Sequence, residues 1–123
     1  MTRANVDENR IQGAYHIAGL RLGQMDIVPA DNYPVLREHP PVIRMTPAGA
    51  IDVLMPFSDG STQGLSFWIT NVGAGGIITL KTSADAAFSP AITIPVSGGW
   101  VQVICTGNSV QNTGWKVVGG NLP

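Results

Sequence analysis

Residues 66–71 are Ser-Phe-Trp-Ile-Thr-Asn, a run in which aromatic and β-branched side chains predominate. Such residues favour extended strands, and successive side chains of a strand point to opposite faces. If Phe67 and Ile69 enter a hydrophobic core, Trp68 must therefore point away from it. The run predicts a β-strand that carries a bulky aromatic side chain on its outer side.

Similar apolar runs follow and precede this one, and short segments rich in glycine, proline and asparagine separate them. These residues supply the backbone conformations and local hydrogen bonds that turns need. One strand and one turn in about ten residues is the spacing of an antiparallel sandwich or barrel. We therefore predict an all-β fold, an antiparallel β-sandwich of jelly-roll-like form. The candidate strands are residues 42–46, 51–55, 65–70, 77–82, 91–95, 100–105 and 115–118, and the candidate turns are residues 47–49, 58–61, 73–76, 97–99 and 107–109.

The first forty residues differ from the rest in charge and pattern. Residues 1–44 hold ten of the fifteen charged residues, including all five arginines. Ala18, Leu20 and Leu22 alternate as one face of an extended segment would, and four prolines between positions 29 and 41 keep the chain extended. We predict that residues 1–40 form an extended N-terminal arm with possible short strands, joined to a sandwich module of residues 41–123.

Helical spacing from Ile11 to Leu22 fits this segment about as well, but three glycines oppose it, each costing about 1 kcal/mol in a helix interior. The polar, proline-containing stretch 31–41 is the expected hinge between the arm and the module.

Composition excludes several classes of protein. A chain of 123 residues with a formal net charge of −1 fits one domain and has no cluster of Lys and Arg that would attract nucleic acid or an anionic membrane. Its single cysteine, Cys105, cannot form an internal disulfide, and no Cys and His pair has zinc-ligand spacing. Residues 2–10 are polar and no long apolar run follows, so we expect neither a signal peptide nor a membrane span.

Five candidate strands contain two adjacent apolar residues, and alternation exposes one member of each pair. Residues 45–123 hold only five charged residues, fewer than normally keep an isolated domain soluble. Because contiguous exposed apolar surface usually marks an interaction site, we predict a homo-oligomer, a ring or a trimer, whose apolar faces are covered by sister subunits, the arm or a host protein. The pairs are Leu54-Met55, Phe67-Trp68, Ile77-Ile78, Ile104-Cys105 and Val117-Val118.

The side chains that could serve catalysis are better explained by structural roles. Cys105 with His16 or His39 would make a nucleophile and a base, but the cysteine shares a strand face with neighbouring valines, which favours a buried structural thiol. Asp52, Asp59 and Asp85 would offer the carboxylate pair of a glycosidase, but the last two lie in turn sequences. The glycine run 73–76 lacks the Lys of a phosphate-binding loop, and we interpret it as a hairpin turn. We therefore predict no catalytic residue, cofactor or metal.

The tryptophans and arginines allow two interpretations each. Exposed indoles on a sandwich can stack on sugar rings, whereas indoles at strand ends or between subunits serve packing. Arginines in the arm are either solvated or paired with acidic groups of a partner. The candidate interface residues are Arg10, Tyr15, Leu20, Arg21, Leu22, Arg37, Arg44, Trp68, Trp100 and Trp115.

Four segments together resemble the small β modules of tailed-phage virion proteins: residues 66–71, 75–81 (Gly-Gly-Ile-Ile-Thr-Leu-Lys), 98–103 (Gly-Gly-Trp-Val-Gln-Val) and 114–118 (Gly-Trp-Lys-Val-Val). In those modules a strand ending in Asn, a glycine turn, a threonine-containing strand and a terminal Gly-Trp strand recur. The resemblance covers about residues 41–119, and the arm has no counterpart in it.

The resemblance implies a non-enzymatic structural protein, a capsid decoration or cement protein that is made in the host cytoplasm and stabilises a head shell. Its partners would be itself, as a homotrimer, and the major capsid protein or another virion protein, with no nucleic acid or membrane. The alternative is a carbohydrate-binding or receptor-binding fibre module that uses exposed tryptophans.

Overall fold

A computed structural model of the chain describes residues 22–121, which form two packed β-sheets. In this part of the chain no helix is long and apolar enough to cross a membrane. The strands are β1 (Gln24–Ile27), β2 (Tyr33–Pro34), β3 (Val42–Met45), β4 (Ile51–Leu54), β5 (Ser66–Asn71), β6 (Ile78–Lys81), β7 (Ala87–Ile94), β8 (Gly99–Cys105) and β9 (Trp115–Gly120), with a 3-10 helix at Gln111–Thr113.

The strands form a five-stranded sheet, sheet A, and a four-stranded sheet, sheet B. The strand order is β1-β3-β5-β8-β9 in sheet A and β2-β4-β6-β7 in sheet B. From β1 to β6 the chain changes sheet at every step, so that β1, β3 and β5 are parallel neighbours in sheet A and β2, β4 and β6 are parallel neighbours in sheet B. β7, β8 and β9 then complete the two sheets with antiparallel pairings.

The predicted all-β, sandwich-like fold is confirmed, and each of the seven candidate strands is present. The wholly antiparallel jelly-roll arrangement is wrong, since four of the seven strand pairings among residues 22–121 are parallel. Parallel neighbours need a crossover of about a dozen residues or more. Here the crossover from β1 to β3, residues 28–41, contains β2 of the opposite sheet.

The glycine run 73–76 is therefore not the hairpin turn that the sequence suggested, because it joins β5 of sheet A to β6 of sheet B. A Cβ at Gly76 would lie 2.1 Å from the backbone nitrogen of Ala50, and one at Gly75 would lie 2.4 Å from the carbonyl oxygen of Pro47. Only glycine lets this loop pack so closely against the loop between β3 and β4. The glycines thus serve the stacking of sheet-crossing loops.

Asn71, the last residue of β5, ties the two sheets together at this end. Its side chain is fully buried, and its Nδ2 donates to the carbonyl oxygens of Gly76 at 2.9 Å and Ile94 at 3.4 Å. Gly76 leads into β6 and Ile94 ends β7, so a side chain of sheet A holds the backbone of sheet B. The Oδ1 atom has no hydrogen-bond partner among the described residues.

The core lies between the sheets and consists of the inward-pointing residues of both. Phe67 is 1% exposed and Trp115 is 5% exposed, and their ring centroids lie 5.9 Å apart. Burial of such surface, at about 25 cal/mol per Å², is the main term that favours folding. The predicted structural role of Cys105 is confirmed, since its thiol is buried and lies 3.4 Å from the hydroxyl of Ser58.

Residues 22–40, which belong to the expected arm, take part in both sheets. β1 is an edge strand of sheet A, and β2 is an edge strand of sheet B. Within the expected hinge, Val35 is 2% exposed in the core, and Arg37 donates to the hydroxyl and carbonyl oxygens of Ser61 at 3.3 and 3.1 Å. Residues 1–21, the remainder of the expected arm, lie outside the described residues.

Replacing Asn71 with Leu should lower the free energy of unfolding by about 1–3 kcal/mol, because the carbonyl groups of Gly76 and Ile94 lose their buried donor. Asn71→Asp should cost more, because it adds a buried carboxylate that faces the same carbonyl oxygens. Urea unfolding followed by circular dichroism measures both. Thr70→Ala, one residue away on the outer side of β5, is the control and should change little. An Asn71→Asp protein as stable as the wild type would contradict this role.

Candidate functional site on the outer face of sheet A

The outer face of sheet A exposes aromatic and aliphatic side chains. In β5 the burial alternates, with Phe67 and Ile69 inside and Trp68 on the opposite side. Val118 is 53% exposed, and Val28, which directly follows β1, is 74% exposed. We call this surface the outer face of sheet A. Its apolar members are Val28, Val42, Trp68, Val72, Trp100 and Ile104, with the exposed Val118 at the bulge of β9, and its charged members are Asp26, Arg44 and Lys116.

The register between β5 and β8 brings two tryptophans close together on this face. Trp68 is opposite Gln102, and Trp100 is opposite Thr70, so the two indoles are diagonal neighbours on adjacent strands. On the other side of β5, Val42 of β3 is opposite Trp68. The middle of the face is therefore an apolar stripe with one amide and one hydroxyl beside it.

Two neighbours hold Trp100 in position: Asn121, which follows β9, and Gly119 of β9. The Trp100 backbone N–H donates to the Oδ1 of Asn121 at 2.6 Å, and the Trp100 carbonyl oxygen accepts from the Asn121 N–H at 3.1 Å. A Cβ at Gly119 would lie 3.9 Å from the Cη2 and Cζ3 atoms of the Trp100 ring, so the indole extends towards β9. Trp100 is 37% exposed, so part of this ring is accessible at the surface.

The outer face of sheet B carries ion pairs and hydroxyl groups, together with the apolar Leu54, opposite Lys81, and the 45% exposed Ile77. Lys81 lies 3.2 Å from the Asp52 carboxylate and 3.8 Å from the Asp85 carboxylate, and Thr79 is opposite Thr93. On sheet A, an exposed ion pair between Arg44 and Asp26 at 3.4 Å lies at the β1 side of the face, and a pair so open to water contributes little stability. Both outer faces thus carry charged and apolar side chains, and the feature that distinguishes the outer face of sheet A is its tryptophans.

The candidate interface residues fall into three groups. Leu22 is 41% exposed just before β1, and Arg44, Trp68 and Trp100 belong to the outer face of sheet A. Arg37 instead binds the loop that precedes β5. The positions outside the described residues are Arg10, Tyr15, Leu20 and Arg21.

Trp115 differs from the other two tryptophans because its indole is part of the core. It is 5% exposed, its ring packs on Phe67, and its Nε1–H donates to the carbonyl oxygen of Pro56 at 2.9 Å. The prediction that Trp115 is an exposed interface residue is therefore wrong. The preceding Gly114 does not reveal this orientation, since glycine is compatible with either face of the strand.

Several residues of this face are not among the candidate interface residues. Val28 and Val72 follow β1 and β5, where alternation continues past the last paired residue and leaves them 74% and 38% exposed. Ile104 and Val118 are the outward members of adjacent apolar pairs, and this pattern was the signal that pointed to them. Val42 is likewise the outward member of an adjacent apolar pair, Val42-Ile43.

The residues considered for catalysis are engaged in local structure. The Nδ1 of His39 accepts from the Leu36 N–H at 3.0 Å, and its ring stacks on Tyr33. Asp59 accepts from both the backbone N–H and the hydroxyl of Ser61, at 2.9 and 2.7 Å. His16 lies outside the described residues. These contacts build turns, and we identify no set of groups in them that would serve one reaction.

No family model, no curated protein and no solved structure matches this chain. A function for it therefore has to be inferred from the sequence and from the geometry of the described residues.

The pH dependence of stability should report the turn at Asp59. Its hydrogen bonds with Ser61 hold the pKa of the Asp59 carboxyl below its ordinary value of 3.8. A pKa that is lower in the folded state gives stability that is fully present above the unfolded value and is lost as the pH falls through the folded value. The melting temperature of Asp59→Ala should thus lie below that of the wild type near neutral pH, and the difference should shrink below about pH 4. A difference that stays constant or grows towards acid would contradict this assignment.

Proposed function

We propose that this chain is a non-enzymatic assembly protein whose outer face of sheet A is covered by other polypeptide in its working state. The observation that supports the proposal is the pair of neighbouring tryptophans on the outer face of sheet A. Trp68 and Trp100 lie there together with Val42 and Ile104, whereas the outer face of sheet B carries no tryptophan. Aromatic residues are enriched at the cores of protein interfaces, and charged residues are depleted there.

The size of this face suggests that it is not the whole interface. Five strands at a spacing of about 4.8 Å, and up to seven residues at about 3.3 Å, give a plan area of roughly 550 Å². A stable protein contact buries about 800 Å² on each partner. We infer that further surface, such as residues 1–21, takes part in the assembly.

The specific role that we propose is capsid decoration. The protein would form a homo-oligomer, a trimer in the simplest case, and bind the major capsid protein or another virion protein. What supports this role is the resemblance of residues 41–119 to small virion β modules, together with the five charged residues among residues 45–123. Burying apolar surface at about 25 cal/mol per Å², less the cost of association, stabilises a shell without any chemical reaction.

Carbohydrate binding is the second candidate, and one observation favours it. The indoles of Trp68 and Trp100 lie on one exposed face beside the Gln102 amide and the Thr70 hydroxyl. Indole faces can stack on sugar rings while such polar groups bind hydroxyls. Glycan binding that quenches tryptophan fluorescence, and that Trp100→Ala abolishes, would favour this function, whereas an assembly role predicts no response to glycans.

Two lysines on the outer face of sheet A should break the assembly into monomers. Val72→Lys with Val118→Lys places charges at exposed sites, 38% and 53% accessible, that burial against a partner would desolvate. The matched control is Thr79→Lys with Thr93→Lys on the outer face of sheet B. Light scattering of the full chain measures the mass. A wild type that is monomeric throughout, or a control that dissociates as readily as the Val72 and Val118 variant, would contradict the proposal.

A further inference from the structure

The two sheets end side by side at β7 and β9, and both strands have a free edge. β9 borders sheet A and β7 borders sheet B, and within residues 22–121 no strand pairs with the other side of either. A free edge presents a row of unpaired backbone N–H and C=O groups. Such a row is able to pair with one more strand.

A cleft of about 340 Å³ separates the two edge strands. The pairing of β7 with β6 shifts register between Leu80 and Lys81, which leaves residues 88–91 without partners in β6. The sheets therefore do not close on each other along this side. The apolar side chains that line the cleft are Pro90, Ile92, Trp115 and Val117.

The cleft lies where the side chains of an added strand would point. A strand that pairs with the free edge of β9 directs every second side chain inward, beside Trp115 and Val117 and opposite Ile92. Val117 belongs to the inner face and packs against the core, yet it is only half-buried. The floor is rigid, because the hydrogen bond from the Trp115 indole to Pro56 fixes the ring.

Residues 14–20 suit both sides of such a strand. Their sequence is Ala-Tyr-His-Ile-Ala-Gly-Leu, which contains no Asp, Glu, Lys or Arg. In an extended chain Ala14, His16, Ala18 and Leu20 would point to one side, where Ala18 and Leu20 fit the apolar part of the cleft and His16 would face its polar lining, Thr106, Thr113 and Lys116. Tyr15 and Ile17 point to the other side, where they would continue the outer face of sheet A next to β9.

A neighbouring copy must supply these residues. Leu22 lies two residues before β1, which is the opposite edge strand of sheet A. Four strand spacings, about 19 Å, separate β1 from β9. The two residue steps from Leu20 to Leu22 span at most about 7 Å. The link between residues 14–20 and β1 is therefore too short for these residues to pair with β9 of the same molecule.

We propose that the free edge of β9 accepts residues 14–20 of a second copy as an added strand, with Leu20 in the cleft formed by Pro90, Ile92, Trp115 and Val117. The donor and acceptor surfaces differ, so the contact is head-to-tail and closes into a ring when the rotation between copies allows it. This inference goes beyond the proposed function, because it needs no host protein and does not use the outer face of sheet A.

Cross-linking between two full-length copies tests this contact. One copy carries Leu20→Cys and the other, with a tag of different mass, carries Ser89→Cys at the mouth of the cleft. A short bismaleimide should join them into a mixed dimer, seen by mass spectrometry. The native Cys105 is 2% exposed and stays unreactive. The matched control acceptor is Thr93→Cys on the outer face of sheet B, and no mixed dimer should form with it.

Mixed dimers that form equally with both acceptors, or with neither, would overturn the added strand. A protein that remains an oligomer in light scattering but gives no mixed dimer with Ser89→Cys would overturn this contact alone, and it would leave docking through the outer face of sheet A standing. If mixed dimers form and the variant with Val72→Lys and Val118→Lys stays assembled, the added strand at β9 would stand. Docking through the outer face of sheet A would then be overturned.

Discussion

Successive side chains of a β-strand point to opposite faces, and this alternation determines which surfaces of the chain are apolar. In β5 it places Phe67 in the core and Trp68 outside. At the start of β6 it buries Ile78 and leaves Ile77 45% exposed. A chain that places bulky apolar residues next to each other must therefore cover one of them with other polypeptide or leave it in water. The exposed tryptophans of sheet A are a consequence of this geometry.

The parallel pairing of β1, β3 and β5 adds a second consequence. Because each crossover passes through the opposite sheet, the two sheets grow together, strand by strand, and Asn71 and the glycine run 73–76 hold them at one end. At the other side of the sandwich the last strands, β7 and β9, have no further partner among residues 22–121. The open cleft at Trp115 is the result.

The sequence predicted the strands well and their order poorly, for a physical reason. Alternating residues such as Phe67 and Ile69 specify a strand and its buried side. The same alternation occurs whether the neighbouring strand is parallel or antiparallel, so it does not specify the strand order. The run 73–76 has the composition of a hairpin turn, and only its contact with Ala50 in the fold shows that it crosses between sheets. Trp68 was placed correctly by its apolar neighbour. For Trp115 the signal was the charged Lys116 beside it, because alternation places Trp115 and Val117 on the face opposite to Lys116.

The central claim is that other polypeptide lies over the outer face of sheet A. Hydroxyl-radical footprinting of the three tryptophans measures this directly, at high protein concentration and after dilution. We expect Trp68 and Trp100 to be protected in the assembly and oxidised after dilution, while Trp115, 5% exposed, stays protected in both states. Oxidation of Trp68 and Trp100 to the same extent at all concentrations, with or without shells, would contradict the account.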